Sequence, residues 1–223
     1  MTKSRANPPG LPRIRSTQDL PRRIREAVLD AIFRHDPSQP PLRVVPAAAP
    51  TAPARLAALL ARESSQRASL TTTYEMYLQA YRAAAGRAGF GDLDDVGRAV
   101  AYFVAVNLQA LHGTDPDADV LEPLERQLRL ATRVCSDWDR ASIAQRQFFF
   151  EQIAITGVLI AAAGSRARTQ GPDDIAAVRR AARRYLEQML GLNPDALTLA
   201  PSGLIARADV RVPAAAPGAM ANA

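Results

Sequence analysis

A single cysteine, Cys135, in a chain of 223 residues excludes an intramolecular disulfide framework. Two histidines, His35 and His112, lie far apart and have no second cysteine to join them, so the ligand spacing of a zinc site is missing. There is no GxSxG, no phosphate-cradling glycine loop and no HExxH, which removes the common hydrolase, nucleotide and metalloprotease signatures. Aromatic residues are scarce, at 5%, so a core must come largely from Ala, Leu, Val and Ile. No strand-like alternation exceeds a few residues, and no repeat of solenoid period is visible. No catalytic residue, metal or cofactor is expected.

What is present favours helix. Alanine is abundant, and it is the best helix former. Hydrophobic residues at 48% and charged residues at 22% are ordinary for a globular chain long enough to bury a core. The formal charge of +6 leaves nucleic acid, anionic lipid or an acidic protein as electrostatically acceptable partners.

Residues 1–17 are basic and carry Pro8, Pro9, Gly10 and Pro12, the composition of a disordered arm. A helix follows in DLPRRIREAVLDAIFRH, with Asp19 as cap and Ile24, Val28, Ala31 and Ile32 on one face. The stretch HDPSQPPLRVVPAAAPTAP contains six prolines and reads as an extended strap closing an N-terminal unit, 18–53. The main domain is expected over 54–199. Its first pattern runs from Ala54 to about Arg87, with a break near Ser69 to Thr73 and an end at Gly86 to Gly91. Next comes DLDDVGRAVAYFVAVNLQALHG, with Val96, Val100, Phe103, Val104, Leu108 and Leu111 inward. In VLEPLERQLRLATRVC, the residues Leu121, Leu124, Leu128, Ala131 and Cys135 form one stripe, and Cys135 reads as a buried inert thiol. The last clear helix is PDDIAAVRRAARRYLEQMLG, stopped by Gly191, then a turn with a short helix or extended piece. Residues 200–223 read as a mostly disordered tail.

The run RQFFFEQIAITGVLIAAAGSRAR decides the architecture. Ser142 and Gln145 match a capping box, and Gly164 offers an end, which gives a helix over 143–163 about 31 Å long at ~1.5 Å per residue. Its apolar part, Ile153 to Ala163, is well short of the ~20 residues of a membrane span, and Gln145, Arg146, Gln147, Glu151 and Gln152 fill the first half. The second half is apolar all round, as in a helix enclosed by others. The fold expected is therefore all-α: a single multi-helix bundle around this buried central helix, with no transmembrane segment.

Three stretches, DDVGRAVAYFVAVNLQALHG, RQFFFEQIAITGVL and ARRYLEQMLGLNPDAL, resemble a bacterial all-helical domain family of unknown function, over roughly residues 70–199. The resemblance implies a helical domain and carries no assigned activity or catalytic residue. Families of this kind often carry export signals. MTKSRANPPGLPRIR has no apolar core, so the chain as written is expected in the cytoplasm, or exported where a leader precedes it.

Two groups stand out as candidate sites. Arg146, Gln147, Glu151 and Gln152 form a polar group on a nearly buried helix, where a carboxylate must be paired, protonated or functional. The periodicity points Glu151 inward, with Arg98 or Arg129 of a neighbouring helix, or backbone donors, as the expected partner. Arg179, Arg180, Arg183 and Arg184 form a basic face that, with Arg13, Arg15, Arg22, Arg23 and Arg25, would suit phosphates. Base-stacking aromatics are absent from both stretches, which favours a solvated face. Asp115, Asp117 and Asp119 imitate the start of a calcium loop, but Val120 and Arg126 stand where glycine and glutamate are needed. The function expected is a non-enzymatic interaction or scaffold module with a protein partner; the alternative is a basic accessory protein binding nucleic acid or another polyanion.

Overall fold

In the computed structural model the described residues, 41–44, 49–87, 93–114 and 118–207, form seven α-helices, a short 3-10 turn and one β-hairpin. The basic arm, the helix expected from Asp19, His35 and residues 208–223 lie outside the described residues. The helices are α1 (Ala52–Leu60), α2 (Ser64–Arg87), α3 (Val96–His112), α4 (Ala118–Val134), α5 (Ser136–Arg140), α6 (Ile143–Gln170) and α7 (Pro172–Met189). The architecture is the all-α bundle that the patterning implies.

Local chemistry sets most of the boundaries. Asp95 caps α3 by accepting from the Gly97 N–H at 2.9 Å, and Gly113, at φ 79°, closes it. Ser142 and Gln145 make the reciprocal capping box of α6. Pro172, Asp173 and Asp174 occupy the first turn of α7, and Leu190 and Leu192 return their N–H groups to the Leu186 carbonyl around Gly191.

Three boundaries differ from expectation. The break in the first long pattern falls at 61–63, not at 69–73, because Ala61 turns extended while α2 runs straight through the threonines. Thr71, Thr72 and Thr73 donate to the carbonyls of Arg67, Ala68 and Ser69 one turn back, so their hydroxyls are satisfied inside the helix instead of capping one. Gly164 does not end α6; the helix continues to Gln170, and Gly171, at φ 130°, makes the corner into α7. Structure also continues past residue 199, as strands β1 (Leu197–Ala200) and β2 (Gly203–Ala206) pair antiparallel. Gln127 of α4 completes this edge, donating to the Leu204 carbonyl and accepting from the Leu204 N–H, both at 2.8 Å.

The core has two central helices. α6 packs against α1, α2, α3 and α7, and α3 packs against α4, α6 and α7. Among the described helices α6 alone is long and apolar enough to cross a membrane, and 72% of its most apolar window is buried inside the fold. Close approach depends on two glycines. A Cβ at Gly157 would lie 2.9 Å from the Tyr102 ring, and one at Gly97 only 2.6 Å from the Arg129 Cβ. Leu124, Leu128, Ala131 and Cys135 are buried on the α4 stripe, but Leu121 is 39% exposed, because the first turn of α4 overhangs a gap beside α2 and α3.

Two substitutions in α6 test this packing. Ile155 is fully buried, so Ile155→Ala should cost about 2–5 kcal/mol in urea unfolding through the cavity it leaves. A Cβ at Gly164 meets nothing within 4 Å, so Gly164→Ala should stabilise by roughly 0.5–1 kcal/mol as an ordinary mid-helix exchange. A loss of stability there would place the helix end at Gly164 after all.

Candidate functional site

Proline-rich chain cannot satisfy itself. The strap preceding α1 has few N–H groups, and those need acceptors when it is laid on the core. Two buried carboxylates accept from Leu42, Thr51 and Ala52. Glu151, with no solvent exposure, accepts from the N–H of Thr51 at 2.8 Å and of Ala52 at 2.7 Å on one oxygen, and from Gln147 Nε2 at 2.7 Å on the other. Gln147 also donates to the Ala49 carbonyl at 3.3 Å. Thr51 has no side-chain cap of its own, so a carboxylate about 100 residues away holds the positive end of α1. The partners of Glu151 are therefore two backbone N–H groups and the Gln147 amide, not Arg98 or Arg129.

Those two arginines belong to a second network. Asp95, also without exposure, accepts from the Gly97 and Leu42 N–H groups on Oδ1 and from Arg129 on Oδ2. Arg129 also pairs with Glu125 one turn before it, and Glu125 takes a bidentate pair from Arg98 with both contacts at 3.1 Å. Burial works against the Arg129 charge, but the Asp95 hydrogen bond and the two carboxylates raise its pKa on balance. Strap and core join here through Val44 N–H to the Asp94 carbonyl and Val96 N–H to the Leu42 carbonyl.

The other members of the polar group on α6 are dispersed. Arg146 turns away from Glu151, donating to the Trp138 and Asp139 carbonyls and lying over the Trp138 ring. Gln152 is 5% exposed, and its carbonyl accepts from Thr156. The basic face on α7 is partly spent as well. Arg183 forms a two-pronged pair with Asp195, at 2.6 and 2.7 Å, and Arg184 lies over the Tyr185 ring. Arg179 stands close to Gly113, while Arg180 is exposed. His112 ends α3, where the helix dipole favours protonation, yet its pKa is lowered by partial burial and then by Arg207, Arg183 and Arg179, against Asp195. Among the described residues no three His, Cys, Asp or Glu side chains are grouped to hold a metal ion.

A cavity of about 200 Å3 opens between α2, α3 and α4. Tyr81, Ala84 and Ala85 come from α2, Arg98, Ala101 and Tyr102 from α3, and Leu121, Glu122 and Glu125 from α4. Tyr81, Ala85 and Ala101 are buried, whereas Ala84, Leu121 and Glu122 are exposed and form the mouth. The Tyr81 ring packs against Tyr102, 5.6 Å between centroids, and edge-on to Phe150 at 5.9 Å. Its hydroxyl is buried and has no hydrogen-bond partner among the described residues, and burial pushes the phenol pKa up. Of the apolar lining only Leu121 was singled out by the sequence, and there as a core position of the α4 stripe. The Glu125–Arg129 spacing of four was the one local signal near it.

Fold and site together define an all-helical bundle whose buried charges serve its own framework and whose cavity is mainly apolar. The chain belongs to the Family of unknown function (DUF6683), whose model it matches over residues 13–207. No curated protein and no solved structure matches it.

If Glu151 is structural, Glu151→Gln puts an amide among N–H donors and removes a charge that several hydrogen bonds use. The urea midpoint should fall, by about 1.5–3 kcal/mol in stability. An unchanged or higher midpoint would reject a structural role for this carboxylate.

Proposed function

We propose that the chain is a non-enzymatic binding module: a helical frame that presents the cavity between α2, α3 and α4 to a ligand or partner. The observation that carries this reading is the division of labour among polar groups. Glu151, Asp95, Arg129 and Glu125 are engaged with backbone donors or with each other, while the cavity between α2, α3 and α4 has mainly apolar walls. A catalytic site needs a poised acid, base or nucleophile facing substrate; a binding site needs an apolar concavity with few polar groups.

Chemical-shift mapping of a chemically mixed fragment set on the full chain tests the reading. Perturbations should converge on Ala84, Ala101, Tyr102 and Leu121. Perturbations scattered over the surface, or centred on Glu151, would reject it.

One observation favours a polyanion reading instead: Arg179, Arg183 and Arg207 lie near His112 and outnumber Asp195, the carboxylate that opposes them there. Phosphate binding weakens steeply with salt between roughly 50 and 200 mM. Under the cavity reading no salt-dependent binding to generic DNA is expected; a steep decline would favour the polyanion reading.

A further inference from the structure

We propose that the cavity between α2, α3 and α4 is a site for a small, uncharged and largely apolar molecule, an inference that rests on the binding-module reading and specifies the ligand class. Size comes first. An apolar cavity of ~150 Å3 stays dry and admits benzene; this one, at about 200 Å3, has room for a substituted benzene, an indole or a short alkyl chain.

The walls decide the character of the ligand. Ala84, Ala85 and Ala101 expose methyl groups with nothing to donate or accept, and Tyr81 and Tyr102 add ring surface. The methyl and ring faces reward removal of apolar area from water, and the buried Tyr81 hydroxyl, without a partner among the described residues, is a single neutral polar group beside them.

Charge decides what is refused. Arg98 lines the cavity but is held bidentately by Glu125, which is also paired with Arg129, itself held by Asp95. Two guanidinium groups face two carboxylates, so the network is neutral as it stands. An anion entering would have to draw Arg98 from Glu125, and a cation would have to draw Glu125 from two arginines. Either leaves a poorly solvated charge without its partner, which is costly. Tyr81 adds no charge, since burial keeps its phenol protonated. Glu122 stands at the mouth in water, 79% exposed at its side chain and paired with Arg126, so it does not extend the charge inward. The same ion pairs that hold α3 to α4 therefore select against charged ligands.

The experiment uses the full chain and four probes of similar size: indole, hexanol, hexanoate and hexylammonium. Binding is followed by amide chemical shifts at the cavity and by the melting temperature. Indole and hexanol should bind saturably, and the two charged probes at least tenfold more weakly. Two variants locate the site. Ala101→Leu fills the floor, and Ala84→Trp closes the exposed mouth without touching the core, so the second remains informative should the first fold poorly. Both should weaken indole binding more than tenfold. Hexanoate or hexylammonium binding as tightly as hexanol would overturn the ligand class while leaving the binding-module reading intact. Failure of all four probes to bind would overturn both. Indole binding that survives in a folded Ala84→Trp would place the site elsewhere and overturn the inference.

Discussion

The contact on which the rest depends is a carboxylate inside a helix bundle, Glu151, taking the first N–H groups of α1. A carboxylate without exposure is costly unless every lone pair is used. Here the donors are Thr51 N, Ala52 N and Gln147 Nε2, so the charge meets the positive end of a helix and a side-chain amide. The arrangement fixes two things together. It gives α1 a start that Thr51 does not provide, and it ties the proline strap to the central helix through Ala49 and Gln147. Arg55, over the Phe148 ring at 4.6 Å, carries the same attachment one turn further. The polar first half of α6, awkward for any membrane span, is thus the receiving surface for the proline-rich residues that lead into α1.

Asp95 repeats this logic at the other end of the strap and adds a structural consequence. It caps α3, receives Leu42, and holds Arg129, which brings α4 so close that only Gly97 fits beneath it. Glu125 and Arg98 then complete a neutral chain of charges along the α3–α4 seam. Because the seam is pinned by ion pairs, the first turn of α4 need not collapse onto α2. Alanines stand where larger side chains would have filled the space, and the cavity is what remains.

Much of this was legible. The inward faces of α3 and α6 follow from apolar spacing, and the capping box at Ser142 and Gln145 and the stop at Gly191 follow from local hydrogen-bond chemistry. The interior direction of Glu151 followed from its position above Ala154 and below Gln147. Its partner did not, because an acceptor for backbone N–H groups about 100 residues away leaves no trace in side-chain spacing. Local signals also misled. Three consecutive threonines resemble a cap, but their hydroxyls bond back to carbonyls within α2. Gly164 resembles a stop, yet a glycine ends a helix only where the chain must turn left-handed, and that place is Gly171. The hairpin at 197–206 has strands of four residues, too short for alternation to register, and is held by the side chain of Gln127 from another element.

The cavity was illegible for a different reason. Alanine in a helix reads as propensity, and nothing in a single pattern says whether its methyl meets a neighbour or a space. At Gly157 the opposite helix comes in until the Tyr102 ring fills the gap left by the missing Cβ. At Ala84, Ala85 and Ala101 no neighbour does, since the charged seam holds α4 at its distance. Small residues therefore have two outcomes in one bundle: tight contact where helices are drawn together, and a pocket where they are held apart. Which outcome follows depends on the ion pairs between the helices, a property of the assembled fold. A cavity formed in this way is kept open by polar contacts and walled by apolar ones.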